Sequence, residues 1–212
     1  MSRANLERAV QFITRHGQHP RRHPLSPARR AMQVFRASRL EHRRRDTSMR
    51  EQLIRDAGFS PCRTWRYWLT RRWNDELPPC GFIGLNPSHA DENEDDQTIR
   101  RCTSFAKQWG NGGIVMLNLF AIVESDPAKL SAVHVDLVGK DNDRWLRHFA
   151  SKCDPMFVAW GTLSKSAYRI RALEVLSLFR EPLWCLGLTK DAFPRHPSRM
   201  EKEPNPIKFE RA

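Results

Sequence analysis

Side chains that could do chemistry are concentrated in the segment CGFIGLNPSHADENEDDQTIRR, residues 80–101. Six consecutive acidic or amide residues form its loop, and Arg100 and Arg101 follow in the helix that this loop opens. Carboxylates that lie close together can hold a hard cation, whereas an arginine near a helix N-terminus can bind a phosphate. The pattern leaves three interpretations open: a metal on Asp95 and Asp96, a phosphate on Arg100 or Arg101, or a solvated loop in which Asp96 caps the helix.

Polar residues also follow the apolar runs, both within this segment and further along the chain. Because the carboxyl ends of parallel strands meet at one edge of a sheet, and ligands bind beyond that edge, we expect these groups to surround one crevice. They are Asn86-Pro87-Ser88, Asn118, the Trp160-Gly161 turn and the His196-Pro197-Ser198 loop.

The elements that must position these residues follow an alternating pattern. Apolar runs predict buried strands at residues 81–85, 114–120, 156–161 and 183–187, and helical periodicity predicts helices at 98–109, 141–151 and 163–179. Asp126-Pro127 is typical of a further helix start. Strands that alternate with helices predict an α/β protein with three layers, α/β/α, around a central, mostly parallel four-stranded sheet. Alternating polar and large apolar residues at 63–71 add an edge strand.

The composition indicates a globular protein. Of 212 residues, 40% are hydrophobic and 28% charged, and no apolar run approaches the roughly 20 residues of a membrane span. Because the first residues also lack a signal-peptide core, we expect a cytoplasmic location without membrane contact, and a monomer by default. The five cysteines are widely spaced without a CxxC pair, so we expect reduced core thiols rather than disulfides or a zinc site.

Basic charge is concentrated at the N-terminus. Residues 1–48 contain twelve arginines, no lysine and three acidic residues, a net of +9 out of +12 for the whole chain. They lack sustained apolar periodicity and predict a disordered tail, followed by a single domain at residues 49–212. The tail could hold nucleic-acid phosphates, or Met49 could be the native start. Its histidines at positions 16, 19 and 23 are expected to be solvated rather than metal ligands.

Four segments together carry a family resemblance: GLNPSHADENEDDQTIRRC, GGIVMLNLFA, FVAWG and LWCLGLTKDAFPRHP. Over about residues 65–198 the chain resembles the bacterial and phage family known as domain of unknown function 1643. More distantly it is similar to the uracil-DNA glycosylase superfamily. The GxNPG motif of the mismatch-specific thymine/uracil branch is similar to residues 84–88, its asparagine-ended strand to residues 117–119, and its histidine-proline-serine loop to residues 196–198.

The glycosylase resemblance implies a role for each matching residue. Asn86 would hold the attacking water, Asn118 would read the edge of a base with its amide donor and acceptor, and His196 would hydrogen-bond a base carbonyl. The broken N-glycosidic bond leaves a cationic sugar and an anionic base, so a preorganised donor near the base oxygen stabilises the transition state. Further candidates are a carboxylate for the sugar or the proton (Asp91, Glu92, Asp95 or Asp96), a stacking face (Phe82, Phe120 or Trp160) and Ser88 in the first motif.

Departures from the superfamily pattern bear on the substrate. Ser88 replaces the last glycine of the motif, an acidic loop follows it, and Arg199-Met200 stand where an apolar wedge would help to flip a base. A free nucleoside, nucleotide or modified base therefore suits the crevice better than a long DNA strand. We predict an N-glycosidase that uses no cofactor. The alternatives are a non-catalytic nucleic-acid or nucleotide-binding module and a different small-molecule enzyme on the same fold.

Overall fold

The computed structural model describes residues 53–126, 130, 135–180, 182–200 and 204–210. The chain divides into two units, residues 1–34 and 35–212, and all described residues belong to the second. The predicted basic tail, its three histidines and the helix predicted after Asp126 lie outside the described residues. In the described part, no helix combines the length and the apolar character that crossing a bilayer would require.

A mixed seven-stranded sheet forms the centre of the fold, in the order β1-β2-β4-β3-β5-β6-β7. Strands β4, β3, β5 and β6 are mutually parallel, whereas β1, β2 and β7 are antiparallel to their neighbours. The strands are β1 Ile54–Phe59, β2 Arg66–Arg72, β3 Cys80–Gly84, β4 Gly113–Asn118, β5 Met156–Val158, β6 Leu183–Cys185 and β7 Ile207–Lys208. The predicted α/β class is confirmed.

Within the described ranges, three helices of at least two turns follow the alternating pattern. They are α1 Gln97–Gln108, α2 Asn142–Ala150 and α3 Ser166–Ser177. Asp96 caps α1 as predicted, since its side chain accepts from the N–H of Ile99 at 2.8 Å. A short 3-10 turn, Pro197–Arg199, follows the last parallel strand.

Buried side chains lie on both faces of the sheet. In β3 all five residues are buried, and Phe82 and Ile83 belong to two different hydrophobic clusters because successive side chains of a strand point to opposite faces. The Phe82 cluster includes buried residues of α1, and the Ile83 cluster includes buried residues of α2 and α3. Helices therefore pack against both faces of the parallel strands.

Two predictions about the margins of the sheet need correction. The strand predicted at residues 63–71 is not at the edge, because β2 lies between β1 and β4. The predicted sheet of four parallel strands and one added strand also lacks β7, which pairs with β6 through Trp184 and Lys208. Both β1 and β7 are largely exposed, so their hydrophobic patterning is weak.

The cysteines are unpaired, as expected. Cys80, Cys102, Cys153 and Cys185 are buried thiols, whereas Cys62 is exposed in the turn between β1 and β2 rather than in the core.

Candidate functional site

A cavity of about 730 Å³ opens at the carboxyl ends of the parallel strands. Its volume is within the range of small-molecule sites. The polar segments that follow β3, β4, β5 and β6 all contribute to its wall. Six of the residues predicted from the sequence line it: Asn86, Ser88, Asp96, Asn118, Trp160 and His196.

Asn118 ends β4 and presents a buried amide to this cavity. Its exposure is 1%, and neither Nδ2 nor Oδ1 has a hydrogen-bond partner among the described residues. Gly84 leaves the necessary space, because a Cβ at that position would lie 2.8 Å from the Asn118 Oδ1. Buried side-chain amides are normally hydrogen-bonded, so Asn118, a residue of the cavity wall, carries an unsatisfied donor and an unsatisfied acceptor.

Asn86 begins the loop after β3, and its own amide is oriented by the backbone. Nδ2 donates to the carbonyl oxygens of Pro87 at 3.0 Å and Glu124 at 2.5 Å. These two bonds use both amide hydrogens. The remaining function of the side chain is that of an acceptor at Oδ1, which suits it to hold a water molecule or a ligand hydroxyl.

The imidazole of His196 is fixed by the 3-10 turn that it precedes. Its Nδ1 accepts from the N–H of Ser198 at 3.3 Å and lies 2.8 Å from the Ser198 hydroxyl. Burial lowers the pKa of His196, with a smaller contribution from Arg199 and an opposing one from Asp96. The ring is therefore neutral at pH 7, and because Nδ1 accepts, its proton is on Nε2.

Trp160 and Asp96 complete the predicted set at the cavity. Trp160 follows β5, is 4% exposed and makes an edge contact with Phe209 at 6.2 Å between ring centroids. Asp96 uses one carboxylate oxygen to cap α1. Its carboxylate brings negative charge to the cavity wall.

Two predicted stacking residues lie outside the cavity. Phe82 is fully buried and stacks on Phe157 at 5.1 Å, on the face of the sheet that α1 covers. Phe120 is 5% exposed and packs edge-on against Tyr168 at 5.1 Å. Both side chains fill the hydrophobic core, so of the three predicted stacking residues only Trp160 reaches the cavity.

Three predicted polar residues also lie away from it. Asp91 closes a turn by accepting from the N–H groups of Asn93 and Glu94, which lowers the pKa of the Asp91 carboxyl. Arg100 is exposed and donates to the carbonyl of Asp95, and Arg101 donates to the carbonyl of Met200. Neither arginine lines the cavity.

The acidic loop forms ion pairs with arginines of β1, of β2 and of the turn between them. Asp95 forms ion pairs with Arg71 at 2.7 Å and Arg55 at 3.2 Å, and Glu92 forms a two-bond pair with Arg63. In the described part of the chain, no cluster of three or more histidine, cysteine or acidic residues could hold a metal. The interpretation of Asp95 and Asp96 as metal ligands therefore finds no support in their contacts.

Sequence reasoning missed Arg66, the first residue of β2. It is 2% exposed, lines the cavity and donates from Nη1 to the carbonyl of Ala90. Burial lowers the pKa of Arg66 to about 10, partly offset by the nearby Asp96. The available signal was an arginine between large aromatic residues, Trp65 and Tyr67, in a predicted strand.

The fold and the cavity define an α/β protein with a polar cavity at the carboxyl edge of its parallel strands. The family model described as protein of unknown function (DUF1643) matches residues 66–198, and the chain belongs to this family. The match runs from Arg66 to Ser198 and includes Asn86, Asn118 and His196. None of the curated proteins compared with the chain matches it.

Proposed function

We propose that the protein binds a nucleobase in this cavity and hydrolyses its N-glycosidic bond, in the manner of the uracil-DNA glycosylase superfamily. The observation that carries the proposal is the buried amide of Asn118, which has no partner for its donor or its acceptor among the described residues. A nucleobase edge offers a complementary acceptor and donor side by side. A base that bonded to both the donor and the acceptor of the Asn118 amide would satisfy a buried group that is otherwise unfavourable.

The arrangement of the other two motif residues supports the reaction type. Asn86 keeps only Oδ1 for a ligand, and an acceptor can orient a water molecule but cannot remove its proton. His196 is neutral with its proton on Nε2, and this donor can stabilise negative charge on a departing base. Asp96 supplies a carboxylate at the cavity wall, which would stabilise a cationic sugar.

The fold is consistent with the superfamily resemblance at the level of the parallel strands. Four parallel strands with helices on both faces bring the three motif segments to one edge. The additional strands β1, β2 and β7 extend this sheet on either side. The support for the activity comes from the residues in the cavity, since a shared architecture alone does not determine an activity.

Base release tests the proposal directly. The purified protein is incubated with nucleosides, nucleotides and oligonucleotides that contain uracil, mismatched thymine or hypoxanthine, and free base is measured by chromatography. We expect release from at least one substrate, and a loss of at least about 100-fold for Asn86→Ala and Asn118→Ala, because each removes a group that acts on the transition state. Arg100→Ala, an exposed residue outside the cavity, serves as the control. Absence of release from the whole panel would contradict the proposal.

A non-catalytic binding module is the second candidate. Asp96 already uses one carboxylate oxygen to cap α1. Among the described residues, the cavity wall contains one other carboxylate, that of Glu124. Glu124 accepts from the N–H of Asp126. This shortage of a free catalytic base favours binding without turnover. Calorimetry would then show nucleobase binding that Asn118→Ala weakens, with no base released.

A further inference from the structure

Three arginines in the described part of the chain are almost completely buried, and one of them has no carboxylate partner. Arg71 pairs with Asp95 at 2.7 Å, and Arg171 pairs with Asp143 and with Glu174. Arg66, at 2% exposure, forms no ion pair with any described residue. The nearby carboxylates of Asp96 and Asp91 offset only part of the cost of burying this cation, so a ligand that brings further negative charge would stabilise Arg66.

The guanidinium of Arg66 has donors to spare at the cavity wall. Nη1 donates to the carbonyl of Ala90, whereas Nε is buried without a partner among the described residues. Arg66 lines the same cavity as Asn118, so an unpartnered guanidinium donor and an unpartnered amide belong to two residues of one cavity wall.

The N-terminus of α1 lies in the same wall. Asp96, Gln97, Thr98 and Ile99 all line the cavity, and the first turn of this twelve-residue helix contains no acidic residue. Asp96 caps the N–H of Ile99, and the N–H groups of Gln97 and Thr98 precede the first intrahelical donor, the N–H of Arg100, which bonds to the Asp96 carbonyl. The positive end of the helix dipole and these N–H groups favour an anion.

The charged side chains elsewhere in the cavity wall also favour an anion. Arg195 and Arg199 line the cavity with Arg66, against the two carboxylates Asp96 and Glu124 among the described residues. Planar guanidinium groups and backbone N–H donors together match the geometry of a phosphate group.

We propose that Arg66 and the N-terminus of α1 form a phosphate subsite in this cavity, so that the ligand is a phosphate ester of a nucleoside rather than a free base or nucleoside. This inference rests on the proposed function, because it takes the ligand to carry a nucleobase. It specifies the substrate class as a phosphorylated nucleoside. The phosphate can belong to a mononucleotide or to one nucleotide of a strand, which share this chemistry.

Binding measurements on the full-length protein test the subsite. Calorimetry compares nucleosides, their 5′-monophosphates, and trinucleotides with the same central base, while backbone amide resonances are followed by NMR during titration with inorganic phosphate. We expect the monophosphate to bind about tenfold or more tightly than the nucleoside. We also expect inorganic phosphate to shift the amide resonances of Gln97 and Thr98. Stronger binding of the trinucleotide than of the monophosphate would assign the phosphate to a strand, and the reverse would assign it to a free nucleotide.

Matched variants test whether Arg66 causes the preference for the monophosphate over the nucleoside. Arg66→Gln should abolish the preference for the monophosphate, Arg66→Lys should keep part of it, and Arg100→Gln, an exposed arginine in the first turns of the same helix, should leave it unchanged. Equal affinity for nucleoside and monophosphate, or a preference that survives in folded Arg66→Gln, would overturn the inference. If Arg66→Gln does not fold, the wild-type amide shifts decide, and unchanged Gln97 and Thr98 resonances refute the subsite.

The phosphate titration is independent of base chemistry. Asn118→Ala should keep the response of the Gln97 and Thr98 amides to inorganic phosphate while losing base recognition. A protein that binds phosphate at Arg66 but releases no base would retain the subsite and lose the glycosidase. A protein that releases base equally well from nucleosides and nucleotides would retain the glycosidase and lose the subsite.

Discussion

Two buried asparagines show how much a single side chain depends on its partners. Asn118 has no partner for its amide among the described residues, whereas Asn142 donates from Nδ2 to the carbonyls of Asn118 and Leu119, both at 3.1 Å. Both side chains are at most 1% exposed. The amide of Asn142 therefore stabilises the strand end that presents the amide of Asn118.

This difference predicts that the two alanine variants differ in their free energy of unfolding. Asn118→Ala should change the free energy of unfolding by less than about 1 kcal/mol, because no hydrogen bond is lost. Asn142→Ala should lower it by about 1–3 kcal/mol, because two buried hydrogen bonds are lost, although the Leu119 carbonyl keeps the Nε of Arg171 as a donor. Urea denaturation followed by tryptophan fluorescence measures both values. Equal destabilisation by the two variants would show that Asn118 is part of the structural hydrogen-bond network and not a free ligand-binding group.

At the scale of elements, β2 connects the sheet to the acidic loop that precedes α1. Arg71 is fully buried in β2 and donates to Asp95 and to the carbonyl oxygens of Asp91 and Glu94. A loop of like charges becomes ordered because buried and exposed arginines pair with it. The loop also positions Asp96, and with it the N-terminus of α1, at the cavity.

The ion pairs of Asp95 and of Glu92 differ in burial and so in expected energy. Asp95→Ala should lower the free energy of unfolding by about 2–4 kcal/mol, because it leaves the Arg71 guanidinium, 1% exposed, without a carboxylate. Glu92→Ala is the matched control, since Arg63 and Glu92 are both solvent-accessible and such pairs contribute little. Denaturant midpoints measure both effects. A larger loss for Glu92→Ala than for Asp95→Ala would contradict this account of how the loop is held.

For the molecule as a whole, the folded region begins before the family match. The match starts at Arg66, yet β1 Ile54–Phe59 pairs along its length with β2. Gly58 allows this pairing at close range, because a Cβ there would lie 2.2 Å from the Trp68 indole nitrogen. Strand β1 therefore covers an edge that β2 would otherwise expose.

Truncation tests the extent of the domain. A chain that begins at Leu53 should unfold cooperatively with a midpoint close to that of the full-length protein, in line with the predicted tail. A chain that begins at Ser60 lacks β1, exposes the donors and acceptors of β2, and should aggregate or lose at least about 2 kcal/mol of stability. Thermal denaturation and size-exclusion chromatography provide the measurements. A fully stable chain from Ser60 would show that β1 is dispensable.

The amino-acid sequence alone determined the features that depend on local patterns. Continuous apolar runs identified the four parallel strands, since a strand buried on both faces carries few polar residues. Asp96 could be assigned as the cap of α1 because capping involves only neighbouring residues. The positions of Asn86, Asn118 and His196 at strand ends predicted their approach to one edge, and all three line the cavity.

Tertiary structure alone decided what depends on distant partners. In a fully apolar strand the two faces cannot be told apart by periodicity, so only packing against α1 shows that Phe82 belongs to the core. Strands β1 and β7 are largely exposed, so their residues show little strand pattern. Their pairing with β2 and β6 identifies them as strands. Arg66 became a candidate only because the fold buries it at the cavity wall without an ion pair among the described residues, since burial and charge compensation are properties of the surroundings rather than of the arginine.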